Sequence, residues 1–146
     1  MADERPSGET PPDAETADFE DVEGSLPDVL LISLVELIER LDDRGDEPLS
    51  VSVTATIPGG VVSGLLVPRR WWVDEATREL TASDPNIGRA MGSLFTELRP
   101  LDGALPAYFH LRDARLIVGP GNQHGSGMLW RGRLADVSGW SFTQIR

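Results

Sequence analysis

Ala107-Tyr108-Phe109-His110-Leu111-Arg112-Asp113-Ala114-Arg115 and, beyond a Gly/Pro/Asn loop from Gly119 to Gly127, Met128-Leu129-Trp130-Arg131-Gly132-Arg133-Leu134-Ala135-Asp136-Val137-Ser138-Gly139-Trp140 alternate apolar residues with arginines. Successive side chains of a strand point to opposite faces, so the pattern predicts a twisted antiparallel sheet with one charged face. Strands are expected over Ala107 to Val118, Met128 to Leu134 and Trp140 to Ile145, with a tight turn at Asp136-Val137-Ser138-Gly139. Arg131 and Arg133 share a strand face because they are two apart, and Trp130 then points the other way with Gly132 and Leu134.

Upstream, Leu49 to Ile57 alternates strictly between apolar and Ser/Thr residues, Pro58-Gly59-Gly60 turns the chain, and Val61 to Val67 returns it as a hairpin. Gly64 inside the return strand signals a bulge or sharp bend. From Trp71 to Arg99 the apolar spacing becomes helical, in two pieces divided at Asp84-Pro85, a good N-cap followed by a good first helical residue. Trp71 and Trp72 are neighbours and cannot share one direction, so at least one is expected near the surface, either as a binding anchor or, more commonly, partly buried under a loop.

The region before the hairpin reads as a helix. Ser25 is a candidate N-cap, Pro27 falls in the first turn, and the helix should run to about Asp43, before Gly45. Its apolar residues Val29, Leu30, Leu31, Ile32, Leu34, Val35, Leu37, Ile38 and Leu41 cover most of the circumference, leaving Ser33, Glu36 and Arg40 as a polar strip. So wide an apolar surface either lies across the open end of a barrel or packs in part against another subunit.

These parts define an α+β protein: an N-terminal helix, then a small, strongly bent antiparallel five-stranded sheet or an Sm-like/SH3-like barrel with a helical insertion. A flat, helix-backed sheet is the alternative. One domain is expected over residues 25–146, preceded by a disordered acidic tail over residues 1–24 that is too polar to offset the entropy of ordering. The net charge of -11 is unevenly placed, since residues 1–28 hold ten acids against Arg5 while the other 118 residues hold fourteen acids and twelve arginines, a balance of -2. The tail is either an electrostatic arm for a basic partner or a solubilising extension. The chain has no cysteine, which removes disulfides, thiolate zinc sites and cysteine nucleophiles and suits a cytoplasmic setting. No signal peptide is evident, and the apolar run from Val29 to Leu41 is too short and too charged to span a bilayer.

The chemistry on offer is arginine and aromatic. Arg112, Arg115, Trp130, Arg131 and Arg133 are the candidate binding residues. They read either as a patch that grips carboxylates or phosphates or as a solvated edge neutralised by Asp113, Asp136 and other local acids. No catalytic site, metal site or cofactor is expected: His110 and His124 show no paired ligand spacing, and the glycine-rich loop precedes a strand instead of opening a helix. An Sm-like fold would raise RNA binding, yet a folded part at -2 without lysine offers little phosphate affinity, so nucleic acid is an unlikely partner.

The same segments resemble the gas vesicle accessory family GvpU. Phe109 to Ala114 match its aromatic-x-His/Leu-Arg/Lys-Asp-Ala strand, Gly119 to Gly127 its Gly/Pro/Asn loop, Trp130 to Trp140 its Trp-Arg-Gly-Arg/Lys strand and closure, and Val51 to Gly64 its first hairpin. The resemblance covers roughly residues 28 to 146; the acidic leader lies outside it. It implies a non-catalytic accessory protein, cytoplasmic or gas vesicle-associated, that contacts gas vesicle proteins during vesicle assembly or organisation. Self-association into a homo-oligomer is expected from the first helix. The alternative function is an Sm-like RNA-binding module.

Overall fold

A computed structural model describes residues 27–43, 45–120, 123–143 and 145, with the backbone alone over 123–126. The tail expected over residues 1–24, and Ser25 with it, lie outside the described residues.

Helix α1 spans Val29–Leu41 and is capped by Asp28, whose carboxylate accepts the Leu30 N–H at 2.8 Å. Among the described residues its start is set by Asp28, and it stops two residues before Asp43. The other Asp28 carboxylate oxygen accepts the indole N–H of Trp140 at 2.9 Å, which ties the helix start to the last strand.

Five strands follow: β1 (Val51–Ile57), β2 (Gly60–Leu66), β3 (Tyr108–Ile117), β4 (Gln123–Arg133) and β5 (Gly139–Ser141). Between β2 and β3 stand two helices, α2 (Arg69–Ser83) and α3 (Pro85–Glu97). Asp84 caps α3 by accepting from the Asn86 and Ile87 N–H groups, and Pro85 occupies the first helical turn, as the sequence predicts. The helices meet where Gly88 lies against Thr81: a Cβ there would fall 2.6 Å from the Thr81 Cα.

The strands form one antiparallel sheet in the order β4-β3-β2-β1-β5. It is open, not a closed barrel, because β4 and β5 stand at opposite edges and β5 is only three residues long. The register shifts between Ser63 and Leu65, at the glycine expected to bend the strand, and again between Leu111 and Ala114. Asp113 in that second bulge has φ 50°, the left-handed conformation an Asp tolerates better than most residues. Strand β4 starts at Gln123, inside the stretch expected as loop, because its backbone keeps pairing with Leu116 and Ile117 of β3.

The core lies between α1 and one sheet face. Leu31, Val35 and Ile38 pack with Val53, Ala55, Val62, Leu66, Phe109, Leu111, Ala114 and Leu134, all buried, and Trp130 and Trp140 lean on this cluster. At about 25 cal/mol per Å² of apolar surface, this layer supplies the main drive to fold. Helix α2 serves the opposite face: Trp72 rests 5.2 Å from His110, centroid to centroid, and the Arg112 guanidinium sits over the Trp71 ring at 5.4 Å. Both tryptophans are half-buried, the partial burial expected as the commoner outcome.

Candidate binding groove

The α1 C-terminus is fastened to the α2 N-terminus by two acids. Glu39 accepts the Arg69 backbone N–H at 2.6 Å, and Asp42 accepts from Arg70 through Nε at 3.0 Å and Nη2 at 3.2 Å. Burial pushes the Glu39 carboxyl up, against the opposing pull of that hydrogen bond. This junction leaves a groove of about 1230 Å³ between α1, the α2 start, the α3 end and the following loop, and the first residues of β3.

Its floor is built by strand register. Tyr108 and His110 are two apart on β3, and β4 sets Arg131 opposite His110 and Arg133 opposite Tyr108. His110 is 4% exposed. Arg131 Nε donates to its Nε2 at 3.2 Å, which puts the imidazole proton on Nδ1. The Arg131 guanidinium also stacks on Tyr108, 3.7 Å from the ring centroid, a cation–π contact at close range. Burial, then the charges of Arg131 and Arg69, push the His110 imidazole down to about 3, so it is neutral at pH 7. Arg69 reaches the same floor from α2, donating through Nη2 to the Phe95 carbonyl at 3.2 Å, and its own pKa is lowered by burial and then by Arg131. Two guanidiniums therefore converge on one neutral imidazole. A second cavity of about 120 Å³ lies beside this floor, bordered by Trp72, Phe95 and Leu98; the buried Trp72 Nε1 has no hydrogen-bond partner among the described residues.

The five residues singled out from the sequence are divided by the fold. Arg131 and Arg133 share the outer face as expected; both are exposed, and Arg133 lies 3.9 Å from Asp136. Arg112 is turned into the structure, over Trp71 and 3.7 Å from Glu47, with its Nε buried and unpartnered among the described residues. Arg115, beyond the Asp113 bulge, is half-buried opposite Ser63. Trp130 points to the core face, edge-on to Phe109 at 5.3 Å. Its ring covers Gly132, where a Cβ would come within 2.0 Å, which accounts for the Trp-x-Gly spacing. Tyr108, His110 and Arg69 belong to the groove and were not singled out as binding residues. The available signal was the hairpin register, which pairs His110 with Arg131 once the bulge is placed.

Among the described residues there is no group of three or more His, Cys, Asp or Glu placed to hold a metal, and no helix long and apolar enough to cross a membrane. The fold and groove describe a single-sheet α+β protein whose most developed polar feature is an arginine-floored cleft. The chain belongs to the GvpU-like family: the family model described as gas vesicle protein GvpU-like matches residues 28–145. It is therefore a gas vesicle-related protein, in agreement with the resemblance carried by its strands and its glycine-rich loop. No curated protein and no solved structure matches the chain.

Proposed function

We propose that the protein is a non-catalytic accessory protein that acts through protein–protein contacts in gas vesicle assembly or organisation. The observation that carries this reading is Arg131, an exposed cation on an edge strand. It is fixed by a tyrosine ring and a neutral imidazole, with no ion pair among the described residues. An arginine immobilised in this way keeps N–H donors for a carboxylate on another protein, and little side-chain entropy is lost when that contact forms.

Arg133 extends the same face, so the contact surface centres on these two residues and Tyr108. The partners are other gas vesicle proteins, in a cytoplasmic setting. Self-association is a second part of the reading. Leu30, Leu34, Leu37 and Leu41 follow one another at steps of four, three and four residues, and three of them are more than two-fifths exposed.

The test replaces Arg131 and Arg133 with alanine together and measures association with purified gas vesicle components beside retention of single-stranded RNA. Loss of vesicle-component binding with circular dichroism unchanged supports the reading. Loss of RNA retention with vesicle-component binding intact overturns it in favour of a nucleic-acid module.

A further inference from the structure

We infer that the groove floor is a carboxylate-binding site and that its occupant is the chain's own acidic N-terminal segment, centred on Phe19-Glu20-Asp21-Val22-Glu23. The inference deepens the proposed function, because it gives Arg131 an intramolecular ligand that competes with a vesicle partner.

Three observations support it. First, three acids around the α1–α2 junction are engaged, Glu39 by the Arg69 backbone and Asp42 and Asp74 by Arg70, while Glu36 and Asp102 also border the cleft. Arg69 and Arg131 have no ion pair among the described residues, and each carries donors that a carboxylate accepts as a fork. Second, the walls are apolar where they rise from the floor: Val35, Phe95 and Leu98 border the cleft, and Leu98 is 68% exposed. A ligand that fits must therefore alternate carboxylates with apolar side chains. Phe19 and Val22 set among Glu20, Asp21 and Glu23 have that composition.

Third, the tether has the right length. Six residues from Asp28 back to Val22 reach at most ~20 Å, and α1 carries the chain ~16 Å from Asp28 to Glu39 at the groove. That reach exceeds the length of α1, so the tether allows the acids to arrive at the groove. Covalent attachment supplies an effective concentration on the order of millimolar, well above that of a free acidic peptide. Residues 1–26 hold nine acids and one arginine, so the segment offers several carboxylates to the two guanidiniums at the floor.

The experiment uses the full chain, which contains no cysteine and so accepts a single nitroxide label at Thr16→Cys. Paramagnetic broadening is read on the Arg69 and Arg131 Nε–H signals and on the Tyr108 amide at low salt. The expected result is an intensity loss of about twofold or more that is reversed by high salt and by the triple change Glu20→Gln, Asp21→Asn, Glu23→Gln in the same labelled chain. Equal broadening in the labelled chain and its neutralised form, or none in either, overturns the inference. A mixed sample of labelled chain and isotope-enriched unlabelled chain must show no broadening; broadening there assigns the segment to a second copy and overturns the intramolecular site. If these signals fail while Arg131→Ala still abolishes vesicle-component binding, the inference falls and the proposed function stands.

Discussion

Arg131 donates its Nε–H to the Nε2 of His110 at 3.2 Å, so a guanidinium on an edge strand is oriented by a neutral ring instead of a carboxylate. An acid in that place would neutralise the charge that the contact surface uses. A buried imidazole fixes the geometry and leaves the charge outward.

His110 gives this arrangement a pH signature. Burial, followed by Arg131 and Arg69, lowers its pKa from 6.5 to about 3. Below 6.5 the unfolded chain takes up a proton that the folded chain refuses until about pH 3, so acidification favours unfolding across that window. Between about pH 7 and about pH 5 this residue alone should remove about 2 kcal/mol. Glu39, whose pKa is raised, acts with the opposite sign, but it is common to parent and variant. Thermal melts of His110→Gln should show a shallower pH dependence than the parent, and equal slopes would sink the assignment.

Arg131→Ala and Arg133→Ala should differ in their effect on stability. The first leaves the buried His110 Nε2 without its donor and should cost about 1–2 kcal/mol. The second removes a loose, exposed pairing with Asp136 at 3.9 Å and should fall within about 0.5 kcal/mol of the parent. Urea denaturation of the two single variants checks this, and equal midpoints would contradict it.

Gly88 should tolerate no side chain. A Cβ there falls 2.1 Å from Thr81 Oγ1 and 2.7 Å from the Thr81 N, so Gly88→Ala must separate α2 from α3 and should cost about 1–3 kcal/mol. At Gly92 the nearest atom is the Thr77 Cγ2 methyl at 3.3 Å, so Gly92→Ala asks that side chain to give by only a few tenths of an ångström and should cost far less than Gly88→Ala. A Gly88→Ala chain as stable as Gly92→Ala would mean that the helices are not in this contact.

How far the sequence could be read depended on whether the signal was local. Asp84-Pro85 announced the start of α3 because a cap needs only its own next residues, and Gly64 announced a bulge because the backbone of β3 comes within 2.9 Å of where its Cβ would be. The Trp130-Gly132 relation followed from strand alternation. The groove did not, because it requires Arg69 from a helix, His110 from β3 and Arg131 from β4, joined through a register that a left-handed Asp113 resets. The openness of the sheet was equally hidden: closure depends on β4 meeting β5, which no alternation pattern specifies.

The leucine row on α1 predicts self-association. Leu37 and Leu41 are 43% and 56% exposed while Val35 and Ile38 on the adjoining stripe are buried, so Leu37→Glu with Leu41→Glu should leave the core intact. Sedimentation velocity should show at least a dimer for the parent and a monomer for the double variant. A parent that stays monomeric at high concentration would remove the oligomer from the account.

Gas vesicles float, and flotation therefore tests most directly whether this protein acts by contacting them. Purified full-length chain mixed with purified vesicles and centrifuged should rise with the vesicle layer, and the Arg131→Ala, Arg133→Ala chain should remain several-fold more in the liquid below, in line with the loss of a central contact worth about 1–2 kcal/mol. A parent chain that stays wholly in the liquid, at low salt and in excess of vesicles, would contradict the account.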